Sequence, residues 1–140
     1  MQPLTCKSFA KLNLCLHILD RRNDGYHNLE SIFCIIDLHD TLSFQKNNLT
    51  KVNFKTNSYE IDSTHNLVTK AYDVISNLYD IEGVDIFLDK KIPIGSGLGG
   101  GSSNAAVTLL ALNNIFKLNI SKVNLIKISE GIGADVPFFI

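Results

Sequence analysis

Five of the nine glycines in this 140-residue chain fall within seven positions, as Gly95, Gly97, Gly99, Gly100 and Gly101. Lacking Cβ atoms, such a run lets backbone N–H groups converge on an anion, and a helix starting behind it adds partial positive charge. Ser102 and Ser103 follow directly, either as N-caps of that helix or as hydroxyls that donate to phosphate or ligate a metal. The charge distribution agrees. Residues 90–129 carry Lys90, Lys91, Lys117, Lys122 and Lys127 without one acid, whereas residues 1–89 hold 8 basic and 12 acidic side chains. A glycine-rich loop in an acid-free stretch is suited to phosphate.

Which phosphate loop it is can be narrowed. A P-loop requires a lysine behind its last glycine, and here a serine stands there. Gly95, Gly97 and Gly100 match the spacing of the dinucleotide fingerprint, but no acid for the ribose occurs between Asp89 and Glu130. A protein-kinase loop would precede V-A-I-K and H-R-D segments, and neither is present.

Stepping outward, the elements that must position the loop are legible by period. Residues 4–19 alternate as a long strand and end before the turn-rich Asp20–Gly25, so that Tyr26 and His27 emerge at the base of a hairpin. Residues 29–38, 41–45 and 52–56 read as further strands, with Phe33 and Cys34 in an apolar core segment. Leu67, Val68, Ala71, Tyr72, Ile75, Leu78 and Tyr79 recur at helical spacing over 66–79, and Val84–Leu88 is a β-branched strand. Behind the glycines, Ala105–Leu112 reads as a helix, Val123–Glu130 as a shorter one after Ser121, and Val136–Ile140 as extended. Strands first, then helix, strand, loop and helix, give an α+β or two-layer α/β class.

Composition closes off other functions. A net charge of −1 with 45% hydrophobic residues describes a folded domain with a core, not a disordered chain or a dedicated nucleic-acid binder. No apolar run is long enough for a membrane span, and Met1–Leu4 shows no secretory leader. Cys6, Cys15 and Cys34 are odd in number and form no C-x-x-C pair, which argues for reduced thiols in a cytoplasmic protein over a disulfide scaffold or structural zinc.

The segment Pro93-Ile94-Gly95-Ser96-Gly97-Leu98-Gly99-Gly100-Gly101-Ser102-Ser103-Asn104-Ala105 resembles the second motif of the GHMP kinases, the small-molecule kinases of galactose, homoserine, mevalonate and phosphomevalonate. Three further segments are similar to the branch that phosphorylates 4-diphosphocytidyl-2-C-methyl-D-erythritol. They are Ala10-Lys11-Leu12-Asn13-Leu14, Gly25-Tyr26-His27-Asn28-Leu29 and Gly133-Ala134-Asp135-Val136-Pro137-Phe138-Phe139. Order and spacing agree along nearly the whole chain.

The resemblance implies a mixed sheet packed on helices, and an N-terminal domain over 1–140 whose C-terminal companion is missing from this chain. It implies transfer of the ATP γ-phosphoryl to the 2-hydroxyl of a cytidine diphosphate-linked polyol in isoprenoid precursor synthesis. Residues 93–103 would hold ATP, with Mg²⁺ expected and Ser102 or Ser103 as its protein ligand. Asn66 would hold the adenosine half or cap a helix. Asp135 would orient or deprotonate the acceptor hydroxyl. Lys11, in a weakly polar strand, is expensive to bury alone, and Asp135 is its expected partner. Asn13 projects on the same strand face as Lys11. Tyr26 and His27 would recognise the cytosine, and Lys90 would lie near the cytidine. Phe33 would line that pocket, although core packing is the ordinary role of a phenylalanine there. A different GHMP kinase of mevalonate or sugar type, or a non-catalytic nucleotide-binding module, are the competing expectations.

Overall fold

The computed structural model describes residues 2–21, 23, 25 and 27–140. Two long antiparallel strands, β1 (Leu4–Arg21) and β2 (His27–Lys46), are followed by β3 (Asn53–Thr56), α1 (Leu67–Leu78), β4 (Val84–Asp89), α2 (Gly100–Ile115), α3 (Lys122–Glu130) and a closing 3₁₀ turn, Val136–Phe139. The sheet order is β1-β2-β4-β3, with β2 and β4 antiparallel and β3 and β4 parallel. The parallel pair is a βαβ unit, in which α1 carries the chain back over the sheet.

The helices cover one face only. Leu42, Phe44, Val84, Ile86, Leu88 and Phe54 from the sheet meet Val68, Ala71, Tyr72 and Ile75 of α1 and Ala105, Ala106, Leu109 and Leu112 of α2. Strand alternation makes this possible, since Leu42 and Phe44 on β2 and Val84, Ile86 and Leu88 on β4 point the same way. The opposite face, with Thr5, Gln45, Lys55 and Phe87, is open. Among the described residues no helix is long and apolar enough to cross a membrane.

Four sequence expectations change. Residues 29–45 form one strand, because His39 and Asp40 stay in the ladder and the irregularity is a bulge before them: Phe9 pairs with His39 and Ala10 with Ile36, which leaves Asp37 and Leu38 looped out. The apolar segment around Cys34 is not core. The helices lie over the proximal part of the ladder, so Ile32, Cys34 and Ile35 on its distal part are exposed. Residues 136–139 are 3₁₀ instead of extended, with Pro137 in second place, where its fixed φ suits a first helical turn. Lastly, α2 starts earlier than Ser102, at Gly100.

Candidate active site

Gly99 explains that early start. It caps α2 in the left-handed conformation, at φ 70°, where side chains are strained, and no side chain bonds to the helix end. The backbone N–H of Ser103 already donates to the Gly99 carbonyl at 2.8 Å. The three N–H groups before it, on Gly100, Gly101 and Ser102, lie in the first turn, where helices leave donors unpaired. A serine cap would have consumed one of them. Pro93 to Ser102, with Asn66, Lys90 and Asn104, line a cavity of about 350 Å³ whose apolar wall is Ile61, Leu67, Val68 and Leu88. A cavity with one apolar wall and one N–H-rich end fits a base and its phosphates.

The two serines part ways. Ser102 faces the cavity. Ser103 is buried and accepts a hydrogen bond at 2.8 Å from the Ser8 hydroxyl, so it belongs to the packing of α2 on β1. Ser96 donates to the Pro93 carbonyl at 2.7 Å and closes the loop's own turn. Asn66 is committed to α1. Its carboxamide oxygen accepts from the N–H groups of Val68 and Thr69, while the Thr69 hydroxyl answers the Asn66 N–H as a capping box. Just before it, Asp62 accepts from the Thr64 hydroxyl at 2.6 Å and from the Thr64 and His65 N–H groups. These bonds, the hydroxyl's foremost, hold its carboxyl down at about 2 against an ordinary 3.8.

Behind the loop stands Lys11. Its N–H donates to the Leu98 carbonyl at 2.9 Å, which stitches β1 to the loop. Its stem runs against Gly99, where a Cβ would lie 3.0 Å from Lys11 Cγ and from Phe139 Cζ. The buried ammonium donates to Asn13 Oδ1 at 2.6 Å, lies 3.4 Å from Asp135 Oδ2 and sits 4.6 Å from the centre of the Phe33 ring. Phe33 in turn meets Phe138 edge-on at 4.9 Å. Asp135 makes no capping bond to the 3₁₀ turn, and its side chain is 38% exposed. A cation, a half-exposed carboxylate paired with it and an aromatic wall thus stand on the far side of a single glycine from the cavity.

The structure therefore gathers Lys11, Asn13, Phe33 and Asp135, and separately gathers the loop with Asn66 and Lys90. Lys90 lies with the cavity and not with Phe33, because the Thr41–Asp89 register brings the end of β4 beside Asp40. Its ammonium donates to Asp40 Oδ2 at 2.6 Å. Tyr26 and the side chain of His27 lie outside the described residues. Sequence reasoning passed over Asp40 and Ser8 and gave no role to Asn104 or the two C-terminal phenylalanines. Asp40 carried a signal, for it shares the inward register of Leu42 and Phe44.

Residues 66–140, more than half of the chain, match the family described as GHMP kinases N terminal domain. The chain belongs to the GHMP kinases. Among curated members of that family it is 46% identical over 136 residues to 4-diphosphocytidyl-2-C-methyl-D-erythritol kinase of Francisella philomiragia, covering 96% of this chain and 50% of that protein. It is 47% identical over 137 residues to the enzyme of the same name from Thermodesulfovibrio yellowstonii, covering 97% and 47%. A crystal structure of 4-(cytidine 5'-diphospho)-2C-methyl-D-erythritol kinase superposes with a TM-score of 0.84 at 36% identity, over 97% of this chain and 48% of that one. This GHMP kinase chain spans about half the length of the curated relatives it matches. The expected fold, a mixed sheet under helices with the glycine loop ahead of α2, is the one observed.

Proposed function

We propose that this chain is the nucleotide- and acceptor-binding N-terminal domain of an ATP-dependent kinase, acting in the cytoplasm on the 2-hydroxyl of 4-diphosphocytidyl-2-C-methyl-D-erythritol. The observation that carries the reading is the position of the Lys11–Asp135 pair, 3.4 Å apart, across Gly99 from a phosphate-suited cavity. The identity of nearly half to relatives bearing that kinase name supports the choice of acceptor. Three free cysteines suit a reducing compartment.

In this reading the base and ribose rest on Ile61, Leu67 and Leu88, and the polyphosphate meets the N–H groups of Gly100, Gly101 and Ser102. The acceptor hydroxyl enters from the Phe33 side and lies against Asp135. Its oxygen attacks the γ-phosphorus as the bond to the β-phosphate oxygen breaks, its proton passes to Asp135, and ADP leaves. Transfer of this kind depends on alignment and on stabilising charge, with little covalent work for the protein. Lys11 contributes the cation, held in place by Asn13 and by the Leu98 bond to its backbone.

A metal fits the site in one way. Among the described residues no three His, Cys, Asp or Glu side chains converge as a ligand set, and the Ser103 hydroxyl is engaged by Ser8. Mg²⁺ would therefore be held by the nucleotide's own phosphates and the Ser102 hydroxyl, and would supply neutralisation of the β- and γ-phosphate charge.

A coupled ADP-release assay tests the proposal. Turnover is expected with the cytidine diphosphate-linked methylerythritol. Turnover with mevalonate or galactose alone would transfer the chain to another GHMP activity. Binding of ATP and acceptor without any ADP release would make it a nucleotide-binding module.

A further inference from the structure

Among the described residues Asp40 is the only buried acid, and it is fully enclosed. Leaving a carboxylate unpaired in such a place is strongly destabilising, as breaking a buried ion pair is. Here both oxygens are occupied. Oδ2 accepts from Lys90 Nζ at 2.6 Å and from Asn104 Nδ2 at 2.9 Å, and Oδ1 accepts from the N–H groups of Lys91 at 2.7 Å and Ile92 at 2.8 Å. Asn104 Nδ2 also donates to the Ser8 hydroxyl at 2.9 Å, which donates onward to Ser103.

Stability is a poor reason for such an arrangement, because well-packed apolar residues generally serve as well as a buried ion pair. Geometry is a better one. Two of the four donor residues belong to a wall of the glycine-loop cavity, and the other two adjoin it. Lys90 and Asn104 line it, and Lys91 and Ile92 lead directly into Pro93. The Lys90 ammonium stands where a Cβ on Gly100 would come within 2.8 Å, beside the first residue of α2. An ammonium has three donors, and Asp40 engages one. A cation beside a helix N-terminus is placed for an anion.

We propose that Asp40 is a positioning residue of the nucleotide site. Acting through Lys90 and Asn104, it fixes the ammonium and the first turn of α2 where the nucleotide's phosphates lie. This rests on the nucleotide reading of the cavity.

Asp40→Asn keeps the size of the side chain and an acceptor for the Lys91 and Ile92 N–H groups, but sets an NH₂ against the Lys90 and Asn104 donors. Calorimetric titration of the chain with ATP and with adenosine distinguishes the possibilities. ATP affinity is expected to fall about tenfold or more, the worth of a charged hydrogen bond, while adenosine binds as it does to the parent. Unchanged ATP affinity would overturn the proposal. So would an equal loss for adenosine, which would mean that the cavity had merely collapsed. Should Asp40→Asn fail to fold, the double variant Asp40→Asn, Lys90→Met removes the opposing ammonium. It is expected to fold and to have lost the parent's preference for ATP over adenosine, and retention of that preference would refute the positioning role. A parent chain that binds no ATP would overturn the nucleotide reading itself, and this inference with it.

Discussion

Two buried ammonium groups flank the same glycine loop, Lys90 on the cavity side and Lys11 on the other, and their acids differ completely. Asp40, paired with Lys90, is enclosed and accepts four hydrogen bonds from two stretches of chain, residues 90–92 and Asn104. Asp135, paired with Lys11, is 38% exposed, stands at 3.4 Å and caps nothing. A saturated carboxylate has no lone pair left for a substrate and serves to hold its surroundings still. An unsaturated one, open to solvent and braced by a cation, is free to take a proton. In the proposed function the difference separates what would hold the site from what would react in it.

Substitution of the pair proposed to react, Lys11 and Asp135, should have the largest effect. Lys11→Ala and Asp135→Asn are each expected to lower turnover by roughly 10²-fold or more, the scale of a lost proton-transfer or charge-stabilising group, with ATP affinity nearly intact. ADP release and nucleotide titration measured side by side would check this, and retained turnover in both variants would dissolve the contrast. Next comes Gly99→Val, which meets Lys11 and Phe139 at a positive φ and so burdens both sides. A stability loss of about 1–3 kcal/mol is expected in denaturant unfolding, together with weaker ATP binding. Asn66→Ala removes the oxygen that caps α1 and should cost about 1 kcal/mol in the same measurement without ligand. No loss would mean that the capping box is idle.

The smallest effect is a titration. Asp62 should titrate near pH 2 by carboxyl chemical shift, and Thr64→Val, which deletes its strongest donor, should move the midpoint back toward 3.8. The sign follows from a folded value below the unfolded one. The turn's contribution to stability is fully present above pH 4 and is lost as pH falls toward 2. That turn precedes α1 on the cavity side, so an unshifted Asp62 would count against the rigidity assigned to that side.

The glycine loop and the order of elements were legible because glycine spacing and hydrophobic period are local properties of the chain. Lys11 and Asp135 could be read only through family resemblance, since 124 positions separate them and no local pattern encodes a contact at that range. Asp40 was missed because a charged residue beside a histidine looks like a strand break, whereas the break is two looped-out residues earlier and Asp40 is inward-facing. Ser102 and Ser103 looked like caps by residue type. A left-handed glycine can end a loop just as well, and only backbone angles reveal which one does. The exposure of Cys34 and its neighbours depends on how far the helices reach along the sheet, which strand periodicity does not report.

The hydrogen bond from the Lys11 backbone to Leu98 makes the glycine loop a partition fastened to the first strand. In the proposed function the nucleotide, the fuel, is handled on one side of it, by β4, α1, α2 and Asp40 of β2, and the acceptor, the cargo, on the other, by β1, the distal part of β2 and the final turn. Mutations that remodel the cargo side can thus accumulate without renegotiating the fuel side. A new acceptor becomes reachable by gradual change, with every intermediate still able to hold its nucleotide.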